Sequence, residues 1–150
     1  MKNVFEPAVS TEFISRINQL TPQTQALWGK MNISQMLAHC NVTYELAYEN
    51  KHPEPNAFVK LMLKLFVKST VVTDKAYSKG MHTAKFFIIN DERNFETEKN
   101  RLQTYIQKTQ QLGPQYFEGR VSHSFGTLKS SEWNVMFYKH LNHHLEQFGV

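Results

Sequence analysis

The stretch Ser130-Ser131-Glu132-Trp133-Asn134-Val135-Met136-Phe137-Tyr138-Lys139-His140-Leu141-Asn142-His143-His144-Leu145-Glu146-Gln147-Phe148-Gly149 decides the fold class. Its large apolar residues recur at spacings of three and four, the signature of a helix with one buried face. With Trp133 set to zero and 100° per residue, His144 falls at about 20°, Phe137 at about 40°, Phe148 at about 60° and His140 at about 340°. Both histidines therefore sit inside the apolar stripe. Ser130 supplies a cap, Glu132 places negative charge in the first turn, and Gly149 ends the helix.

Three further segments show the same period. Ser10 is read as the cap of a helix through Phe13, Ile14, Ile17 and Leu20, ended by Thr21-Pro22. Asn32, with Gln35 three residues on, forms a capping box that opens a second helix running to about Asn50. Its apolar face is Ile33, Met36, Leu37, Cys40, Tyr44 and Ala47. A third long helix spans about Asp91 to Leu112, with Asp91, Glu92, Glu96 and Glu98 near its start. Phe95, Leu102, Tyr105, Ile106 and Leu112 form its inner stripe, and Gly113-Pro114 stops it.

Between the second and third long helices, Lys51-His52-Pro53-Glu54-Pro55-Asn56 breaks the pattern, because each proline disfavours helix in the residue before it. Ala57 to Val67 then reads as a short helix, mostly buried or docked, while Val71 to Asn90 is assigned as loop. Long helices with short breaks and almost no strand signal predict an all-α helical bundle.

Composition agrees with one globular domain over residues 1–150. The chain has 41% hydrophobic and 20% charged residues, with 6 Gly and 5 Pro, which excludes disordered and collagen-like classes. At this length a core forms without a stabilising metal, so a metal site would be functional. Cys40 is the only cysteine and cannot form an internal disulfide, which fits a reducing compartment and predicts the cytoplasm. The first residues lack a signal-peptide core, and no stretch reaches the length of a membrane span.

The net charge of +4 is unevenly placed: residues 51 to 85 hold seven lysines against Glu54 and Asp74. Lys60, Lys64 and Lys68 form an i, i+4 row that reads first as the wet face of its helix. Steering of an anionic substrate, contact with a membrane surface and a partner are the functional readings of that row. Nucleic-acid binding through it is not expected.

The chemistry centres on His140-x-x-x-His144, a spacing that sets two imidazoles on one side of a helix and suits divalent metals. The pattern alone leaves two readings open: metal ligands, or core histidines bonded to carboxylates or carbonyls. His143 flanks the stripe, as a solvated or second-sphere residue. His39 lies at the edge of the second helix's apolar face, where it could be a third ligand or a surface residue; Cys40 reads as core filler. His52 and His82 are expected in solvated loops, and His123 is placed just ahead of the last helix without a role.

Taken together, Met31–Cys40, His123-Ser124-Phe125-Gly126, Glu132-Trp133 and Tyr138–Gly149 resemble the DinB/YfiT-like superfamily, in order and over most of the chain from Trp28 onward. The sequence departs from the family at Leu128-Lys129-Ser130-Ser131, where the family tends to place a Thr cap and Ser130 takes its place. The resemblance implies a four-helix bundle with a short extra helix in the middle connection, often a homodimer. It also implies a divalent metal, of the zinc, nickel, iron or manganese kind, held by His39, His140 and His144. Relatives of this type transfer low-molecular-weight thiols to electrophiles or isomerise thiol adducts. The expectation is therefore a metal-dependent transferase or hydrolase acting on a small molecule, and the alternative is a non-catalytic bundle that binds a small molecule or a metal.

Overall fold

The computed structural model describes residues 1–49, 51–81 and 83–150. The expected solvation of His82 and the expected helix end at Asn50 lie outside the described residues. The chain is mostly helical, as the periodicity predicts, with one small two-stranded sheet that it did not predict.

Helix α1 spans Pro7–Asn18. It starts a turn earlier than read from Ser10, because Pro7 occupies the first helical turn, where its fixed φ and missing N–H cost nothing. Ser10 is accordingly inside the helix and buried rather than at its cap. Helix α2 spans Ile33–Tyr48 and opens with the expected capping box: Asn32 accepts the Gln35 N–H at 2.9 Å, and Gln35 accepts the Asn32 N–H at 3.1 Å.

The middle connection is helical from Ala57 to Val72, as α3 (Ala57–Met62), a wide π turn (Leu63–Val67) and α4 (Lys68–Val72). Asn56 caps it by accepting the Val59 N–H at 2.9 Å. None of its residues is buried, so of the two expectations, mostly buried or docked, the first is not met. The described residues that follow, 73–81 and 83–84, form no helix or strand, and one 3-10 turn stands at Lys85–Phe87.

Helix α5 spans Phe95–Phe117, with Asn94 at its cap accepting the Thr97 N–H. Gly113, non-helical at φ 69° and ψ 174°, ends the long run where Gly113-Pro114 is expected to stop it, and a last turn to Phe117 follows beyond the kink. Only glycine adopts that conformation cheaply, and Pro114 then starts one more turn. That turn delivers Phe117 into the core, 5.3 Å from the Phe5 ring and 5.5 Å from Trp133.

Strands β1 (Arg120–Ser122) and β2 (Gly126–Leu128) pair antiparallel, Arg120 opposite Leu128. Three-residue strands are too short to show alternation, which is why the hairpin left no strand signal in the sequence. Helix α6 spans Ser130–Gln147; Lys129 is its cap residue, and Glu132 turns back to accept the Lys129 N–H at 2.8 Å. Ser130, expected as the cap, is the first helical residue instead.

The helices share one core. Phe13 and Ile17 of α1, Met36, Leu37, Cys40 and Tyr44 of α2, Leu102 and Ile106 of α5, and Trp133, Phe137, Leu141 and Leu145 of α6 are all buried in it. Tyr44 stacks between Phe137, at 5.0 Å, and Tyr105, at 5.6 Å, so three helices meet through aromatic faces. Each such ring, fully buried, contributes on the order of 2 to 3 kcal/mol.

A charged network fixes α2 against α5. Asn41 donates to the Glu98 carboxylate at 2.8 Å, Arg101 donates to the same carboxylate at 2.7 Å, and Arg101 also pairs with Glu45. Glu98 is thus a buried cross-helix anchor, beyond the first-turn charge its position suggested.

Candidate metal centre

His39 comes from the middle of α2, and His140 and His144 come from successive turns of α6. The Tyr44–Phe137 stack sets these two helices face to face, which brings the three imidazoles together. One ligand nitrogen from each lies within 4.8 Å of the others. The ring of His39 is 4.9 Å from that of His140 and 4.5 Å from that of His144. His39 and His144 are buried; His140 is half-buried and opens onto a cavity.

All three Nδ1 atoms are already engaged. His39 Nδ1 donates to the Phe87 carbonyl at 2.8 Å, His144 Nδ1 donates to Gln147 Oε1 at 2.8 Å, and His140 Nδ1 contacts Thr43 Oγ1 at 3.0 Å. Carbonyl and amide oxygens only accept, so His39 and His144 carry their proton on Nδ1 and leave Nε2 as a bare lone pair. Gln147 is held in that orientation because its Nε2 donates to the Trp28 carbonyl at 2.7 Å.

His39 Nε2 stands 3.0 Å from His140 Nε2. A bare pair on His39 needs a positive partner there: either the Nε2–H form of His140, with Thr43 donating to Nδ1, or a cation bridging both nitrogens. Nitrogens each about 2.0–2.1 Å from a tetrahedral ion stand roughly 3.3 Å apart, close to the observed spacing. Oriented imidazoles with Nδ1 bonded to oxygen are the usual outer support of a metal-ligand set.

Burial dominates the electrostatics. Desolvation drives His140 well below the ordinary range of an imidazole, and the neighbouring His144 and His39 push the same way. It lowers His144 to about 3, His39 adding to the effect and the Gln147 bond opposing it. His39 is lowered too, with the Phe87 bond opposing. Three neutral imidazoles are the form that metals take.

The cluster forms one end of a cavity of about 740 Å³. Leu63, Val67 and Val71 of the middle helix, Met136 of α6, and Phe86 and Phe87 give it an apolar wall, and Ser122, His123 and Ser124 from the hairpin close another side. His123 Nε2 and Trp133 Nε1 are buried with no hydrogen-bond partner among the described residues, and both residues line the cavity. No Asp or Glu lines it among the described residues.

The other candidates are placed as follows. His143 lines the cavity with its ring centroid 5.1 Å from that of His144, 5.7 Å from Tyr77 and 6.0 Å from Trp28, and it makes no hydrogen bond to the three clustered imidazoles among the described residues. Phe87, Thr43 and Gln147 fill the outer role considered for it. Cys40 is buried, its thiol pushed up by burial, with Sγ 3.6 Å from Met36 Sδ; it packs as core and stays outside the cluster.

His52 is not solvated as expected, because its Nε2 meets Glu45 Oε2 at 2.7 Å at the end of α2. Lys60, Lys64 and Lys68 are not among the cavity's lining residues. Lys60 pairs with Glu54 at 2.6 Å and Lys68 with Glu132 at 2.8 Å, while Lys64 is exposed.

Two of the supporting residues carried a sequence signal. Thr43 is four residues after His39 and Gln147 three after His144, so each shares a helix face with a clustered histidine. The Phe87 carbonyl carried none, since it comes from a loop. Gly29, at φ +87°, is explained by the same support: a Cβ there would stand 2.5 Å from the Gln147 amide nitrogen.

Among the described residues, no helix is long and apolar enough to cross a membrane. No curated protein and no solved structure matches the chain. The model of one family matches residues 8–149, nearly the whole length, and the chain belongs to that family, described as protein of unknown function (DUF1569).

Proposed function

We propose that this chain is a divalent-metal-dependent enzyme of the DinB/YfiT kind, with a four-helix bundle of α1, α2, α5 and α6 as its frame and His39, His140 and His144 as metal ligands. One observation carries the reading: each of the three imidazoles has its Nδ1 held by an oxygen, and their free nitrogens converge at the end of a cavity large enough for a small molecule. A divalent ion on these nitrogens would act as a Lewis acid and lower the pKa of a coordinated thiol or water.

The chain's own residues do the rest. Three protein ligands leave coordination positions for a substrate, as in catalytic rather than structural sites. Gln147 and the Phe87 carbonyl fix the direction of the His144 and His39 lone pairs, and Thr43 steadies His140. The described cavity lining holds no carboxylate, so a general base for thiol transfer to an electrophile or for hydrolysis would be one of the further imidazoles there, His123 or His143.

The test is a screen of small thiols against an activated aryl halide, with the protein loaded in turn with zinc, nickel, iron and manganese. Turnover that a chelator abolishes and His140→Ala abolishes is the expected result. Turnover undiminished without metal would contradict it. The size and largely apolar lining of the cavity also suit a second reading, a bundle that binds its ligand without converting it. Saturable binding with no turnover under any metal would establish that reading.

A further inference from the structure

We propose that the outward face of Ala57–Val72 seats the protein on an anionic lipid surface, independently of the metal centre. Of eleven large apolar residues exposed on the described chain, five lie within residues 58 to 66. Phe58 is 70% exposed, Leu61 50%, Leu65 59% and Phe66 72%. Their spacing, i, i+3, i+7 and i+8, makes one continuous stripe. The inward face of the same helix is apolar as well, since Leu63, Val67 and Val71 line the cavity. A helix apolar on two faces needs a second apolar medium outside the protein, because an exposed patch of this kind is costly in water.

Charge selects the occupant. Ala57 to Val72 contains no acidic residue and carries the Lys60, Lys64 and Lys68 row beside the stripe. Residues 51 to 85 hold seven lysines and two acids, Glu54 and Asp74; in the row Lys60 pairs with Glu54 and Lys68 with Glu132, and Lys64 is exposed. A second copy docked about a two-fold axis would set this row against its own image, and like charges in an interface oppose association. A nucleic acid would accept the lysines and leave Leu61 and Leu65 against phosphate and water. An anionic bilayer satisfies both: Phe and Leu enter the acyl boundary while flexible lysine stems reach back to the headgroups. The helix also has the composition of an interfacial segment, with Phe and Leu on one side and Lys at the edge.

The full chain is sedimented with phosphatidylcholine vesicles with and without phosphatidylserine, at low and high salt. Binding to the anionic vesicles that weakens with salt is expected. The exposed double variant Phe58→Ser/Phe66→Ser loses at least about tenfold in that affinity, and Lys64→Gln loses on the order of fivefold. Phe66→Trp keeps the affinity, and its added tryptophan emission moves to shorter wavelength when anionic vesicles are present. No binding to either vesicle, or unchanged emission from Phe66→Trp, overturns the proposal. So does a dimer, seen by light scattering, that Phe58→Ser/Phe66→Ser dissociates while vesicle binding is absent. Binding abolished by a competing oligonucleotide that itself saturates the wild type but not Lys64→Gln would also overturn it.

Discussion

At the residue scale, the account rests on how three side-chain nitrogens are aimed. His140 and His144 were legible in the sequence because a 3.6-residue period placed them inside an apolar stripe, where an imidazole demands a partner. His39 was legible only as a marginal residue, since a position at the edge of a helical face has no fate until the facing helix is known. Of the groups that orient these histidines, Thr43 and Gln147 share a helix face with a clustered histidine, whereas the Phe87 carbonyl belongs to no pattern. Gln147→Leu removes the acceptor that holds His144 Nδ1, and it is expected to weaken metal affinity by roughly 10- to 100-fold while leaving the helical content unchanged. Competition with a metal-binding dye reads this directly; unaltered affinity would separate Gln147 from the centre. The buried Glu98, read from sequence as a helix-dipole charge, instead binds Asn41 and Arg101. Glu98→Ala is expected to cost about 1 to 3 kcal/mol in urea unfolding, since it removes the buried acceptor that Asn41 and Arg101 share, while Arg101 keeps its pairing with Glu45.

At the scale of elements, the long helices followed from periodicity and the opening of α2 from its capping box, while the starts of α1 and α6 were displaced from the expected caps. Pro7 starts α1 and Gly113-Pro114 kinks α5, because proline is as good at opening a turn as at closing one. The hairpin that brings His123 to the cavity was invisible at three residues per strand. The middle segment was read correctly as helical from Ala57, yet its exposure was not, since nine apolar residues in eleven imply burial unless the tertiary fold withholds a partner. Beside the Lys68–Glu132 pair, the Lys139 ammonium, buried on α6, ties that segment down by donating to the carbonyls of Thr70 at 2.6 Å, Thr73 at 2.5 Å and Lys75 at 3.1 Å. Lys139→Met keeps the stem and removes those three donations. Faster amide exchange confined to the neighbourhood of α4 and the following loop is expected, and exchange unchanged there would show that the segment is held by other contacts.

At the scale of the whole molecule, the centre links stability to pH. An unfolded chain protonates its histidines near the ordinary value of 6.5, whereas the folded chain holds His144 at about 3 and keeps His39 and His140 lowered. Between these values the unfolded state binds more protons, so metal-free stability falls as pH drops from about 6.5 toward 3 and levels off above 6.5. Urea midpoints across that range test the sign, and His144→Gln should flatten the slope. A metal that binds only the folded chain adds about 2.7 kcal/mol at a hundredfold excess over its dissociation constant, again lost on acidification because the ligands must be neutral.

The central claim is that the three histidines hold an ion. Elemental analysis of protein purified without an affinity tag or chelator, beside His39→Ala, His140→Ala and His144→Ala, tests it most directly. About one divalent ion per chain, lost from each variant while its helical content persists, is the expected result. A folded wild-type chain that carries no ion, even after reloading with zinc, nickel, iron and manganese, would contradict it and make these imidazoles a structural cluster.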